Sequence, residues 1–355
     1  MNNADIKGLL LKKYGADVVK QCAERIDAAL IDLQELQYMT DEADIVDAFN
    51  DILYPKNENN LAARYIVPPF SVFDTKCGAW QDRKRLWVSK LGNIGETIDG
   101  VLAKGMMAAI NAGASFFDPV LAEIIITWFS KAGESVLNPF CGEATVGALA
   151  AVLKRNFVGV EIRPEQVAKN EKILKANGYT TSRFVCGNSL QINEVLATNG
   201  LEKKYDLIFS SPPYYDLEIY SDTKGDISNK QTYKEFITDY EEIFRKACYY
   251  LKDNGFVVVK VSEVRNKDTG AYYNFVGDNI RIFTSLGLAY VNEIILLNAI
   301  GTACMRASST FSNRKVARIH QNVLVFYKGA PQSVSKHYPR IIDVFQFTDG
   351  QGGLF

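Results

Sequence analysis

Histidine is nearly missing from this chain of 355 residues: only His320 and His337 are present, too few for a histidine-rich metal centre. Six cysteines, Cys22, Cys77, Cys141, Cys186, Cys248 and Cys304, stand far apart, with no pair at metal-ligand spacing. With no signal peptide expected, they read as reduced thiols of a cytoplasmic protein, bacterial or phage-encoded. None of them follows a proline. No apolar run approaches the ~18 residues of a membrane span; the longest, such as "LAEIIITWF", read as core helix. Excess charge of either sign is also lacking, because 40 Lys and Arg face 41 Asp and Glu. Any basic surface must therefore be local.

What is present is an ordinary globular composition, 47% hydrophobic and 23% charged, enough for a sizeable core. The length suits two domains at ~150 residues each. Residues 1–60 predict a helical region, since "DVVKQCAERIDAALIDLQEL" and "EADIVDAFNDILY" space apolar residues by three and four. Residues 61–114 form an aromatic and basic connecting segment without clear period, in which "QDRKRLW" reads as a solvated helix face or a DNA contact. Residues 115–330 form the regular part, and 331–355 a short appendage.

In that regular part strands and helices alternate. "FDPVLAEIIITWFSKAG" predicts a helix with Asp118 as N-cap and Pro119 at its first position. "SVLNPF", "FVGVEI", "SRFVCGN", "YDLIFS" and "GFVVVKV" predict successive strands. "LAYVNEIILLNAI" and "QNVLVFYKG" follow, joined by a polar loop in which no helix is legible, so this pair is expected to be antiparallel. The expected fold is α/β and Rossmann-like: a seven-stranded, mostly parallel sheet with an antiparallel last strand and a helical N-terminal region.

Open parallel sheets bind ligands beyond the carboxyl ends of their strands. There the first strand gives "LNPFCGEAT", whose Gly142 permits close backbone approach at a helix start. The second ends in Glu161, a carboxylate suited to both hydroxyls of a ribose. The third ends in "GNS", and the fourth in "SSPPYYD", where two prolines stop the strand beside an aromatic pair.

"FDPVLAE", "VLNPFCGEAT", "VGVEIRPEQ", "CGNS" and "SPPY", in this order, resemble the motifs of S-adenosylmethionine-dependent DNA amino-methyltransferases, the adenine-N6 and cytosine-N4 enzymes. With "PPFSV…WQ…RK…W" and "RKVARIHQNVLVFYKG", the likeness spans roughly 64–330 and is nearest to solitary methylases of phages and prophages. It implies S-adenosylmethionine as cofactor, with Asp118, Asn138, Pro139, Phe140, Gly142, Glu161, Ile162, Asn188 and Ser189 around it. It implies Ser211, Pro212, Pro213 and Tyr214 as the catalytic set. The amine of a base is a weak nucleophile because its lone pair is delocalised; acceptors on Ser211 and Pro212 orient it, and Tyr214 stacks on a base flipped from the duplex. Serine at the head of that motif leans toward cytosine.

Carbon-5 methylation, which needs a thiol nucleophile after a proline, is excluded by Phe140 before Cys141. Three departures stand out: Asn138 and Asn188 where the family commonly has acids, and Glu143 where a small residue is usual. They point to weakened cofactor binding or a modified sulfonium cofactor. RNA or protein-amide methylation on the same fold, and a degenerate methylase that only binds nucleic acid, are the alternatives.

The implied partner is DNA, with no membrane, and a homodimer is an open option. If the sixth strand runs with the earlier ones, the loop 301–319 starts and ends over the catalytic edge. Its Arg306, Arg314, Lys315 and Arg318, together with Tyr215, are the expected DNA-facing residues. Segments 80–90 and 215–232 are further candidates.

Overall fold

The computed structural model describes residues 3–14, 19, 26, 61–91, 117–215, 225–298, 303–339 and 342–347. The chain divides into two units, residues 1–68 and 69–355. In the first, α1 (Asn3–Tyr14) and α2 (Leu61–Tyr65) are described. Ile6 and Leu10, one turn apart, are buried residues of α1. Apart from Val19 and Ile26, the expected helices at 17–36 and 42–54 lie outside the described residues.

In chain order the second unit runs β1 (Val72–Asp74), α3 (Gly78–Leu91), α4 (Pro119–Phe129), β2 (Ser135–Asn138), α5 (Thr145–Val152), β3 (Asn156–Glu161), α6 (Pro164–Ala176), β4 (Ser182–Cys186), α7 (Ile192–Thr198), β5 (Tyr205–Ser210), α8 (Tyr233–Tyr249), β6 (Leu251–Val261), α9 (Phe275–Ser285), β7 (Ala289–Leu297), α10 (Ala303–Phe311), β8 (His320–Tyr327) and α11 (Val334–His337). The strands form one sheet in the order β1-β7-β8-β6-β5-β2-β3-β4. Every position of β2 and β5 is buried, as expected of short apolar strands covered on both faces. Only β8 is antiparallel to its neighbours, β6 and β7. It follows that β7 runs with the parallel set, and the loop after it begins on the carboxyl edge.

The sheet has eight strands rather than seven. The addition is β1, paired in parallel with β7 through Val72 and Ile295, Phe73 and Leu296, and Asp74 and Leu297. Three residues with one buried side chain, Phe73, are too short for alternation to be legible. The loop between β7 and β8 also departs from expectation, since it contains α10. Its serines and threonine are indifferent helix formers, and the side chains of Thr310 and Ser312 donate to the carbonyls of Ala307 and Ser309.

Helix α4 starts as expected: Asp118 Oδ1 accepts from the amides of Val120 (3.0 Å) and Leu121 (3.3 Å), with Pro119 in the first turn. Apolar around most of its circumference, it is a core helix. Helix α3 packs on it through two carboxylates, Glu123 and Asp118. Glu123 is fully buried; Arg83 donates to both of its oxygens (2.6 and 2.5 Å) and Trp87 Nε1 donates to Oε2 (2.6 Å). Burial pushes the Glu123 carboxyl up, while Arg83 and Trp87 pull it down. Lys84 Nζ and Trp80 Nε1 reach Asp118 Oδ2 at 3.0 and 3.3 Å. Arg83 and Lys84 of "QDRKRLW" are thus each paired within the fold, Arg83 mostly buried and the Lys84 side chain 40% exposed. The C-terminal segment closes on the same place: Phe345 and Phe347 lie 5.0 and 4.9 Å from the Trp87 ring, and Arg83 donates to the Phe345 carbonyl at 2.9 Å.

Removing one partner of a buried ion pair leaves the other uncompensated. Glu123→Ala is expected to lower the unfolding free energy by about 3 kcal/mol, measured by urea denaturation. Glu242→Ala, which removes an exposed pair with Arg245, is expected to change it by less than about 1 kcal/mol.

Candidate active site

Strand order reverses between β2 and β5: β3 and β4 lie to one side, and β6, β8, β7 and β1 to the other. The crevice beyond the carboxyl ends of β2 and β5 is where such a sheet takes a ligand. Asn138, last residue of β2, closes it: its Oδ1 accepts from the Phe140 amide (3.0 Å) and from Ser210 Oγ (2.8 Å), last residue of β5. An amide N–H can only donate, so the Phe140 bond fixes which end of the side chain is oxygen. What Asn138 can still offer a ligand is its NH2.

After Pro139 and Phe140 the chain turns at Gly142, where φ is +58°. The amide of Cys141 donates to the Val160 carbonyl (3.1 Å), and Asn170 Nδ2 to that of Gly142 (2.8 Å). Glu143 then pins the start of α5. It accepts from Thr145 N (2.7 Å) and Oγ1 (2.6 Å), and its other oxygen accepts from the Phe117 amide (3.1 Å). Burial pushes its carboxyl up against those hydrogen bonds. Cys141 is buried too, and burial with nearby Glu161 pushes its thiol well up. It stays protonated, in keeping with the exclusion of thiolate chemistry.

Glu161 ends β3 and is 8% exposed. Its Oε1 accepts from Arg163 Nε (2.8 Å) and from the Arg163 amide (3.1 Å), which leaves Oε2 for a ligand. Asn188 Oδ1 accepts from the Leu190 amide (2.9 Å), and Ser189 Oγ donates to the Pro139 carbonyl, tying the third motif to the first. A Cβ on Gly225 would stand 2.5 Å from Asn188 Nδ2 and 3.9 Å from Ile162 Cδ1. The chain therefore covers these two residues as it re-enters after the catalytic motif. Asp118 differs from the others, because both of its oxygens are engaged by α4, Trp80 and Lys84.

Ser211 is half-buried, and Pro212, Pro213 and Tyr214 are buried. The Tyr214 hydroxyl donates to the Lys260 carbonyl on β6 (3.1 Å) and lies 3.5 Å from Ser211 Oγ. Tyr215 takes the left-handed conformation, φ +53°. Its ring packs against Tyr233, Phe236 and Tyr273 at 5.4–5.7 Å, and its hydroxyl donates to the Gln231 carbonyl (2.9 Å). Expected on the DNA side, Tyr215 is a buried part of the wall behind the motif. Phe140 is half-buried, 6.4 Å from the Tyr240 ring and stacked with it.

The basic loop divides as well. Arg318 is turned inward, donating to the His320 carbonyl and to Asn322, which itself donates to Glu293. Arg314 is exposed and Lys315 half-buried; the side chain of Arg306 lies outside the described residues. Not read from the sequence were Lys260, whose Nζ lies 4.9 Å over the Phe117 ring, and the hairpin 265–272 beyond β6. The "KDTG" turn was the available signal for the hairpin. Among the described residues no cluster of acids, cysteines and histidines could hold a metal ion, and no helix is long and apolar enough to cross a membrane.

The sheet, with its glycine turn after β2 and an acid at the end of β3, is Rossmann-like, and family membership makes it that of a methyltransferase whose cofactor is S-adenosylmethionine. Over residues 117–172 and 205–348 the chain matches the N6_N4_Mtase family, described as DNA methylase, and it belongs to that family. No curated protein has a sequence that matches it. Among solved structures, TrmN from Thermus thermophilus is similar at 15% identity and TM-score 0.40, over 62% of this chain and 52% of that one, about half its length. A methyltransferase from Pyrococcus furiosus is similar at 17% identity and TM-score 0.42, over 70% of this chain and 100% of that one. A TehB-like methyltransferase from Corynebacterium glutamicum is similar at 16% identity and TM-score 0.38, over 62% and 94%.

The residues present fit the cofactor: a free carboxylate oxygen at the end of β3, a donor NH2 at the switch point and a positive-φ glycine between them. Glu161→Ala is expected to weaken S-adenosylmethionine binding by about 1.5–3 kcal/mol in calorimetry, the worth of hydrogen bonds to a charged acceptor. Asn138→Asp retains the acceptor for Phe140 and Ser210 and adds a negative charge. It is expected to tighten the cationic cofactor by about 1 kcal/mol or more, and unchanged affinity would place the Asn138 NH2 away from it.

Proposed function

We propose that the chain transfers a methyl group from S-adenosylmethionine to the exocyclic amine of cytosine (N4) or adenine (N6) in DNA, with the target base turned out of the duplex. Family membership supplies methyl transfer and DNA. The reading of the site rests on one observation: the Ser-Pro-Pro-Tyr turn leaves the switch point at Ser210, where Asn138 ties it to the cofactor half.

When bound, the cofactor supplies a methyl group on a positively charged sulfur. The amine nitrogen forms the new N–C bond as the C–S bond breaks, its electron pair staying on sulfur; one amine proton is then lost to solvent. For its lone pair to be available, the nitrogen must become more tetrahedral. Ser211, through its hydroxyl or carbonyl, and the Pro212 carbonyl accept the two amine hydrogens and hold them in that geometry. The prolines keep those acceptors from turning. Tyr214 gives the base a ring to stack on, and its hydroxyl bond to Lys260 sets the plane of that ring. A thiol nucleophile is not needed.

The test is to incubate the protein with labelled S-adenosylmethionine and unmodified DNA, digest to nucleosides, and identify the modified base by mass. Label in N4-methyl-2′-deoxycytidine or N6-methyl-2′-deoxyadenosine is expected. Tyr214→Ala and Pro212→Ala are each expected to abolish this label while cofactor affinity stays within about twofold. Turnover of either variant at the wild-type rate would remove the motif from the chemistry.

A further inference from the structure

Two loops on the substrate half of the carboxyl edge meet. One follows β6 and folds into a hairpin in which Arg265 bridges Tyr272. Asn266 holds its turn, accepting from the amides of Asp268 (2.9 Å) and Thr269 (2.8 Å). The other is α10 with the turn after it, closed by amides of Arg314 and Lys315 donating to the carbonyls of Phe311 (2.8 Å) and Thr310 (3.2 Å). They touch at Gly270: Lys315 Nζ stands 1.7 Å from where a Cβ would be, and Arg265 donates to the Gly270 carbonyl (3.0 Å).

Each loop presents the same pair of chemistries. On the hairpin, Arg265 lies 3.9 Å over the ring of Tyr272, which is 40% exposed. At the end of α10, Arg314 lies 5.3 Å over the ring of Phe311, which is 51% exposed. A single exposed aromatic residue needs no explanation. Two of them, each with a guanidinium above it, on touching loops beside the catalytic motif, form a patterned surface. A guanidinium stacked on a ring keeps its in-plane N–H groups for phosphate, and the ring keeps an edge and a face for a base.

We propose that these loops form one duplex-gripping rim, in which Phe311 enters the base stack at the place the target base leaves. Tyr272 stacks nearby, while Arg265, Arg314 and Lys315 take the flanking phosphates. This rests on the reading that the substrate is a base turned out of DNA. Turning out a base leaves an apolar gap between its neighbours, and a planar apolar side chain offsets the lost stacking. Duplex DNA is favoured over an acidic peptide because it offers both phosphates and the flat faces of bases, whereas carboxylates alone would not call for the rings.

The test uses the full chain and a fluorescein-labelled 30-base-pair DNA duplex of mixed sequence. In Phe311→Trp, indole emission is expected to be quenched, beyond any change in the wild type, over the concentrations at which duplex anisotropy reports binding. Binding without quenching overturns the proposal, and so does quenching by an RNA duplex of the same sequence but not by DNA. In Phe311→Ala, labelling of native DNA is expected to fall about 10-fold or more, the order of one lost base–aromatic stack, while labelling of heat-denatured DNA stays within about twofold. Equal losses on both would make Phe311 structural and overturn the assignment. If the wild type labels neither DNA, the methyl-transfer reading fails; quenching of the Phe311→Trp variant would still support the rim.

Discussion

One amide oxygen holds the two halves of this site together. At the point where strand order reverses, β2 and β5 part, and no further backbone rung joins them. Asn138 Oδ1 accepts from Ser210 on one side and from Phe140 on the other. The direction of the glycine turn and the direction of the catalytic turn are both set from that atom. An aspartate would hold the same two donors, so the asparagine is no loss to the framework. It changes only what faces the ligand, a neutral donor in place of a charge.

The second acid of the region, Glu143, works inward. Its two oxygens join the amide of Phe117, ahead of α4, to the first turn of α5, and the burial that raises its pKa also keeps water from competing for those bonds. Lys260 over the Phe117 ring continues the same layer to β6, whose carbonyl fixes Tyr214. The floor of the site is therefore a run of fixed polar contacts from α4 to the tyrosine ring.

Where local chemistry set the structure, the sequence disclosed it. Asp118 and Pro119 announce α4, β2 to β6 are apolar runs between turn signals, and the antiparallel β7–β8 pair was expected, although the loop between them, read as helix-free, holds α10. What stayed hidden depends on distant partners. Helix α9 begins at Asn274 without a side-chain cap of its own; its first amides, those of Phe275 and Val276, donate to Glu263, which precedes a whole hairpin. β1 has no meaning until β7 lies beside it. The positive charge of 83–84 looked free because its acids, Asp118 and Glu123, lie 34 and 40 residues on. Tyr215 looked outward because the rings that bury it, Tyr233, Phe236 and Tyr273, come later in the chain.

The closure of Phe345 and Phe347 on Trp87 has a consequence for how the chain is made. Arg83 waits 262 positions for the Phe345 carbonyl, and β1 waits more than 220 for its partner strand. During synthesis the strands β2 to β5 and the contact of α3 with α4 can form early, whereas β1 cannot pair until β7 has emerged and Trp87 meets Phe345 and Phe347 later still. Contacts of such long sequence separation form late and slowly. The nascent chain thus carries the Trp87 ring without its Phe345 and Phe347 partners until well after β2 to β5 have emerged, and their arrival covers that flank of α3.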